Sequence, residues 1–464
     1  MSAAEKLYPT DDDFEAFRTM VHDKLDEALF KLKPLFSRKE KPTLQEISDA
    51  IQEFKQDLSG ALVQEAAETL HREEVQQDPC PCPKCGKLVG KLRDASREIE
   101  TKHGTSLLTR PYFYCRHCRE GFSPVDESLG LSKRRKQHDL QRLALKFLAK
   151  MPFEEAAQLF YESTGVHFSD HCMHELFASF TEGIGPEEAI PSTEEITRRI
   201  EQAKVSEHRP VMVVATDGAH TPTRPGPGRD KKRGPGEYKE AKGFRIYLNV
   251  GDRIIHLASW HQIGSKKEIR RALELAAERI PQDKVRIGLI GDGAPWLWET
   301  MEQAFPSGRQ ILDYYHVKKY IHSVAEAQYV NDSNKAMHWA ESTMTRLCFR
   351  DGAAHVIAGL KRMKPSSEEA REQIRKTANY LQRNKQRLHY RGDRIGGYPI
   401  GSGGVESANK FICHTRLKRS GAWWLKENSN KMLLLRCALV NGTFDHIFSR
   451  HVTKDKAKRL YTNG

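Results

Sequence analysis

VMVVATDG, residues 211–218, decides the fold. Five consecutive apolar residues, closed by Thr216, Asp217 and Gly218, read as a strand buried on both faces, the pattern of a strand inside an α/β layer. Outward from it, FRIYLNV (244–250) and RIIHLASW (253–260) follow as strands, with Gly251 and Asp252 as a tight hairpin turn. A helix over about 265–280 leads to VRIGLI (285–290), a second buried strand that runs into Gly291, Asp292 and Gly293, and RQILDYY (309–315) supplies another. Antiparallel strands, then a helix, then single strands is the order of an RNase H-like α/β core. That core is expected over 206–316 and 398–445. Residues 317–397 read as a helical insertion, with KPSSEEAREQIRKTANYLQ its clearest helix and no sheet pattern.

Two acids are read as closing buried strands, Asp217 after VMVVAT and Asp292 after VRIGLI, each followed by a glycine that permits a sharp turn. Strand ends of this kind line a crevice in an α/β sheet. If the strands are neighbours, the two carboxylates converge on one divalent cation, and hard oxygen ligands with few nitrogens suit Mg2+ or Mn2+. Two such ions clamp the attacking and leaving oxygens of a phosphodiester, with Asp217 the shared ligand. GSGGVE (401–406) adds a third acid, Glu406, in the first turn of a helix whose glycines allow close approach to the sheet. There the backbone dipole keeps a carboxylate ionised. The plainer alternative for any single Asp-Gly pair is an ordinary turn.

Asp313 and His316, spaced as D-x2-H at the end of RQILDYY, have two readings. They orient a DNA strand or handle a proton, as a titrating histidine can, or they are a structural pair tying the insertion to the core. Asp313 also stands in reserve for Asp292 as the second acid.

The segments before the core carry different signals. Residues 1–78 form an acidic helical region, with a capping box at Thr43 and Glu46. Residues 79–130 hold Cys82-x2-Cys85 and Cys115-x2-Cys118 across a 29-residue spacer, two knuckles that complete a tetrahedral thiolate site for structural Zn2+. Cys80 could replace Cys82. Residues 131–205 are helical, and the turn at Gly165 between PFEEAAQLFYEST and SDHCMHELFASF matches a helix-turn-helix. An ordinary helical hairpin is the alternative.

Charge is unevenly spread. Residues 1–78 hold 18 acidic and 10 basic side chains, whereas residues 407–464 hold 3 and 12, although the whole chain is +13. A basic body of this kind meets a polyanion, and nucleic acid is the expected one. The Pro- and Gly-rich loop 221–242 offers Arg224, Arg229, Lys231, Lys232 and Arg233 beside Asp217, and the helix read through HTRLKRSGAWW offers Arg416, Lys418, Arg419 and Trp423. Tryptophan there stacks on an unpaired base or packs in a core. Residues 446–464 read as a basic tail. With no run of about 18 apolar residues, no membrane span is expected, and without a signal region the protein is expected in the cytoplasm with the nucleoid.

VVATDGA, LIGDGAPWLW, ILDYYHVKKY and YPIGSGGVESANKF together resemble the DDE transposases of bacterial insertion sequences, most nearly the group named after the Kra element within a wider Mutator-like set. The resemblance spans about 80–445. It implies that Asp217, Asp292 and Glu406 are the acidic triad, that Asp313 and His316 match the family's D/C-x2-H motif, and that the chain cuts DNA with water and transfers the freed 3′-hydroxyl to target DNA. It also implies a homodimer or larger assembly on DNA. An RNase H-like nuclease or resolvase without strand transfer, a non-catalytic DNA-binding regulator and an RNA-binding zinc-ribbon protein are the competing readings.

Overall fold

The computed structural model describes residues 11–37, 40–203, 209–226, 234–251 and 253–461, with side chains to residue 455 in the last helix. The chain divides into two compact units, Met1–Phe180 with Phe448–Gly464, and Thr181–Ile447. It is a mixed α/β protein.

In the first unit, helices Asp11–Phe36 and Leu44–Leu70 precede a two-stranded ribbon, β1 (Cys80–Pro81) and β2 (Leu88–Val89), and an antiparallel sheet in the order β3 (Lys91–Thr101), β4 (Gly104–Cys115), β5 (Glu120–Phe122). The expected capping box is present: the Glu46 N–H donates to Thr43 Oγ1 and the Thr43 N–H to the Glu46 carboxylate. β5 pairs only with residues 113–115 of β4, so the rest of that edge is open to pairing. The Leu44–Leu70 helix covers it. Gln64 and Glu68 accept the N–H groups of Leu107 and Thr109, each at 3.2 Å, and so occupy donors that an edge strand would otherwise offer to a neighbour. Contact is close because residue 60 is glycine: a Cβ there would lie 2.4 Å from the Thr105 carbonyl oxygen. Gly60→Val is therefore expected to destabilise this unit by about 1–3 kcal/mol, the usual cost of overpacking, read from urea denaturation.

Three helices follow where the periodicity places them, at His138–Leu148, Phe153–Thr164 and Asp170–Thr181. Gly165 takes φ +68° and receives Gln56 against its α-carbon, while Gln56 Nε2 donates to the Thr164 carbonyl at 2.7 Å. The Asp170–Thr181 helix has no lysine or arginine, and its exposed residues include Asp170 and Glu175, an unfavourable face for phosphates. The expected basic tail is instead the helix Phe444–Tyr461. Phe444, Ile447 and Phe448 recur at helical spacing and are buried. Asp455 accepts from Ser132 Oγ at 2.8 Å and contacts His138 Nε2 at 3.3 Å.

The second unit is built on a five-stranded sheet in the order β10-β9-β6-β7-β8, from β6 (Val211–Thr223), β7 (Glu237–Val250), β8 (Arg253–Gln262), β9 (Arg286–Gly291) and β10 (Arg309–Leu312). β6, β7 and β8 are antiparallel, β9 is parallel to β6, and β10 is parallel to β9. Residues 211–216 are buried throughout, as the apolar run requires. β6 does not end at Thr216, however. It continues through Asp217 to Thr223, because β7 starts at Glu237 and pairs with it along its whole length. Residues 221–223 and 237–242 of the expected loop 221–242 are therefore strand.

On the far edge, Asn441 exchanges both amide hydrogen bonds with the backbone of Ser259 (2.8 and 2.9 Å), and Asn430 does the same with Ile263 (2.8 and 3.1 Å). Both belong to the helix Lys426–Asn441, which packs on β8. Residues 314–383 form helices Tyr314–Gln328, Ser333–Leu347, Gly352–Arg362 and Glu368–Arg383. Among the described residues no helix is long and apolar enough to cross a membrane.

Candidate functional site

One cavity of about 650 Å3 is lined by Asp217, Asp292, Asp313, His316, Ser402 and Glu406, together with Lys318, Lys319 and His322. Asp217 reaches it from the middle of β6, opposite Gly243 of β7, not from a strand end. Its carboxylate accepts the Gly218 N–H and Asn409 Nδ2, each at 2.7 Å. Burial, with the nearby carboxylates of Asp292 and Asp313, pushes its pKa up to about 6. Asp292 sits where the sequence places it, directly after β9. Gly293 turns the chain at φ +98°, and Asp292 Oδ1 accepts the Ala294 N–H at 3.0 Å.

Asp313 caps the Tyr314–Gln328 helix, accepting the Tyr315 N–H at 2.9 Å. It also accepts the Ser402 N–H at 3.3 Å and the Ser402 hydroxyl. The carboxylate thus ties the start of the helical insertion to the loop before Glu406. His316 stands half-buried in the cavity wall, its ring 5.6 Å from that of Tyr320 and 6.1 Å from that of Tyr380.

Glu406 lies in the first turn of the Gly403–Ala408 helix. That helix approaches β7 as closely as its glycines suggest: a Cβ on Gly404 would lie 2.4 Å from the Tyr247 ring, and Arg245 Nη1 donates to the Gly404 carbonyl at 2.7 Å. The Glu406 side chain nevertheless stands exposed and pairs with Lys410 at 3.2 Å. Among the described residues, the group of three or more His, Cys, Asp or Glu whose donor atoms all lie within 4.8 Å of one another is Cys82, Cys85, Cys115 and Cys118. The three acids share a cavity, but they do not meet as one ligand set.

The cysteine cluster has the geometry its spacing implies. Cys82 and Cys118 sulfurs are 3.9 Å apart, and those of Cys85 and Cys115 3.7 Å. A tetrahedral site with Zn–S bonds of about 2.3 Å has edges of about 3.8 Å. Gly86 (φ +71°) and Arg119 (φ +55°) occupy equivalent positions, each directly after the second cysteine of its knuckle. Cys80 lies outside the cluster, and burial raises its thiol pKa. The four thiols can hold a metal such as zinc.

The expected DNA contacts separate. Arg229, Lys231, Lys232 and Arg233 fall outside the described residues. The helix read through HTRLKRSGAWW stops at Leu417, a π-helical turn spans Asn409–His414, and Trp424 bridges to Thr223. Arg416 is 3% exposed, with its guanidinium 4.7 Å from the Trp424 ring, and so is not presented to a phosphate at the surface. Lys418 and Arg419 are exposed. Trp423 is 39% exposed and carries Arg224 over its ring at 4.9 Å. Arg224 lies seven strand positions beyond Asp217, roughly 23 Å along an extended chain.

Residues 42–454 match a family described as "Uncharacterised protein family (UPF0236)". The chain belongs to that family. No curated protein matches it. Among solved structures, the Drosophila P element transposase strand transfer complex is similar at 11% identity, over 67% of this chain and 80% of that one, with a TM-score of 0.25. At that score the likeness says nothing about fold or chemistry.

Several residues of this UPF0236 chain at the cavity were not legible beforehand. Asn409 is three residues after Glu406, but its partner Asp217 is 192 positions away. Lys318 and Lys319 lie in the ILDYYHVKKY segment and His322 just after it, but none is singled out by its sequence as a site residue. A second cavity, of about 410 Å3, gathers Arg309, Arg350, Lys385, His389 and Arg391 from segments with no distinctive motif.

Proposed function

We propose that the chain is a metal-dependent DNA strand-cleaving and strand-transferring enzyme of the DDE transposase type, with Asp217, Asp292 and Glu406 as its acids. The observation that carries this is their meeting at one cavity from three separate places in the chain: β6, the turn after β9 and the Gly403–Ala408 helix. The strand order, three antiparallel strands followed by two parallel additions beside the first, supports reading the sheet as RNase H-like.

The donor set fits Mg2+ or Mn2+. It is made of carboxylate oxygens; burial is the main cause of the raised pKa of Asp217, and the Asp292 and Asp313 carboxylates add negative charge that a hard cation would offset. Asp217 and Asp292 would hold such an ion, with Glu406 joining once released from Lys410. A bound divalent ion would supply Lewis-acid polarisation of the phosphodiester and a more acidic attacking water. Around it, Lys318 and Lys319 would hold phosphate oxygens, and His316 would accept or return a proton at the cavity wall. Asp313 fixes the Ser402 loop. Lys418, Arg419, Trp423 and Arg224 are proposed to lie along the DNA, as is the basic second cavity. Arg229, Lys231, Lys232 and Arg233 join them by sequence position alone. Pairing of two DNA ends by two or more copies belongs to the same reading. Four thiolates leave zinc no open position, so its role is structural.

Incubation of the protein with a terminal DNA and Mg2+, with and without a chelator, tests the proposal. Cleavage followed by joining to target is expected. Cleavage without joining would make the protein a nuclease, and no Mg2+-dependent cleavage would overturn the reading.

Asp217 also sets a pH dependence of stability. Between the ordinary carboxylate pKa of about 3.9 and its raised value of about 6, the folded chain holds a proton that the unfolded chain has released. Its contribution therefore falls as pH rises through that window, by at most about 3 kcal/mol. Without added Mg2+, Asp217→Asn is expected to flatten this part of the urea stability profile and to be more stable than the wild type at pH 7.5.

A further inference from the structure

Asp217, Gly243 and His261 lie in one row across β6, β7 and β8, since Asp217 pairs with Gly243 and Gly243 with His261. In-register residues of neighbouring strands face the same side of a sheet. Gly243 leaves a gap in the row, and a Cβ there would strike the His261 ring at 2.2 Å. Asn409 spans the gap. Its Nδ2 lies 2.7 Å from Asp217 Oδ2 and its Oδ1 lies 3.0 Å from His261 Nε2. Asn409 is 4% exposed and His261 1%.

The direction of this chain of bonds is fixed from its far end. His261 is neutral, because burial drives its pKa down to about 4. A neutral imidazole carries its proton on one nitrogen. Among the described residues, the buried Nδ1 has no hydrogen-bond partner. Placing the proton there would bury an unsatisfied N–H donor, which is costly. The proton therefore belongs on Nε2, which donates to Asn409 Oδ1. The amide is thereby held with its NH2 towards Asp217, and it cannot flip without losing both bonds.

We propose that His261 and Asn409 are positioning residues, a fixed-tautomer clamp that orients the Asp217 carboxylate for a divalent cation. The proposal rests on the reading of the cavity as a cation site. Gly218 N–H holds one carboxylate oxygen and Asn409 the other, so each oxygen keeps a lone pair in a set direction. Partners of this kind behind a metal ligand are typically worth about 10–100-fold in metal affinity.

The test is Mn2+ binding to the full-length protein without DNA, read as free Mn2+ by electron paramagnetic resonance. Asn409→Leu removes the donor at similar volume and is expected to weaken Asp217-dependent binding at least about tenfold. His261→Leu, which frees the amide to flip, is expected to weaken it in the same direction. His261→Gln keeps an N–H donor and should stay near the wild type. If Asp217→Ala loses Mn2+ while Asn409→Leu matches the wild type, the clamp is overturned and the cation reading stands. If Asp217→Ala also matches the wild type, both fall. Should the leucine variants not fold, 15N spectra of labelled histidine in the unmodified protein decide the matter. The Nε2–H form is expected for His261, and the Nδ1–H form would overturn the clamp.

Discussion

Asp217→Asn is expected to reduce Mg2+-dependent DNA cleavage by about 10^3-fold or more, while affinity for the same DNA changes by less than about twofold. The size follows from what a catalytic cation contributes, several kcal/mol of transition-state charge stabilisation, at about 1.36 kcal/mol for each factor of ten. Asp217 is the carboxylate most committed to such a role. It is largely buried, it has Asp292 and Asp313 as charged neighbours, and both its oxygens are held by donors. Binding should survive because the cations proposed to meet phosphates lie on other segments. Asp292→Asn should behave alike. Glu406→Gln is the more discriminating variant: its side chain is exposed and turned to Lys410. A loss comparable to that of Asp217→Asn would mean that it swings in when the site is loaded. Wild-type cleavage in Glu406→Gln would remove it from the triad and leave a two-aspartate site. Asp313→Asn should instead show mainly as a lower melting temperature, since its carboxylate accepts from Tyr315 and Ser402.

The second large effect is expected from Cys85→Ser or from stripping the metal. Structural zinc in small thiolate sites contributes about 10–16 kcal/mol to folding at neutral pH, more than the whole stability of a typical domain. The two knuckles depend on the metal most, as β1, β2 and β5 are only two or three residues long, and the longer β3–β4 pair is joined to both knuckles. Hydrogen exchange should therefore become fast throughout residues 80–122. The loss should spread to the Leu44–Leu70 helix, which depends on β4 at Gly60, Gln64 and Glu68. Added Zn2+ should restore protection in the stripped wild type but not in Cys85→Ser. Protection that persists without metal would show that the thiols are merely clustered.

What could be read from the chain alone was whatever short-range chemistry dictates. The two C-x2-C pairs announce a metal knuckle because each knuckle is closed within a few residues. The capping box at Thr43 and Glu46 is local in the same way, and buried strands such as 211–216 show in their own composition. What failed depended on distant partners. Asp217 looked like a strand end because the apolar run stops at Thr216, yet pairing with 237–243 carries the strand on through polar residues. Arg416 looked like a surface cation in a basic helix, but Trp424, drawn off to Thr223, lies over it. Glu406 is a different case: its exposed pair with Lys410 is local, four residues along, and the Glu406→Gln variant decides whether it joins the aspartates.

The paired amides of Asn430 and Asn441 on β8 bear on how copies of this protein can associate. Each side chain reproduces, for one residue, the donor and acceptor that a sixth strand would bring. The sheet is thereby terminated on that side, and polymerisation by edge-to-edge addition is discouraged there. The β8 margin is thereby left as a blunt boundary of the sheet, with little for another strand to pair with at Ser259 and Ile263.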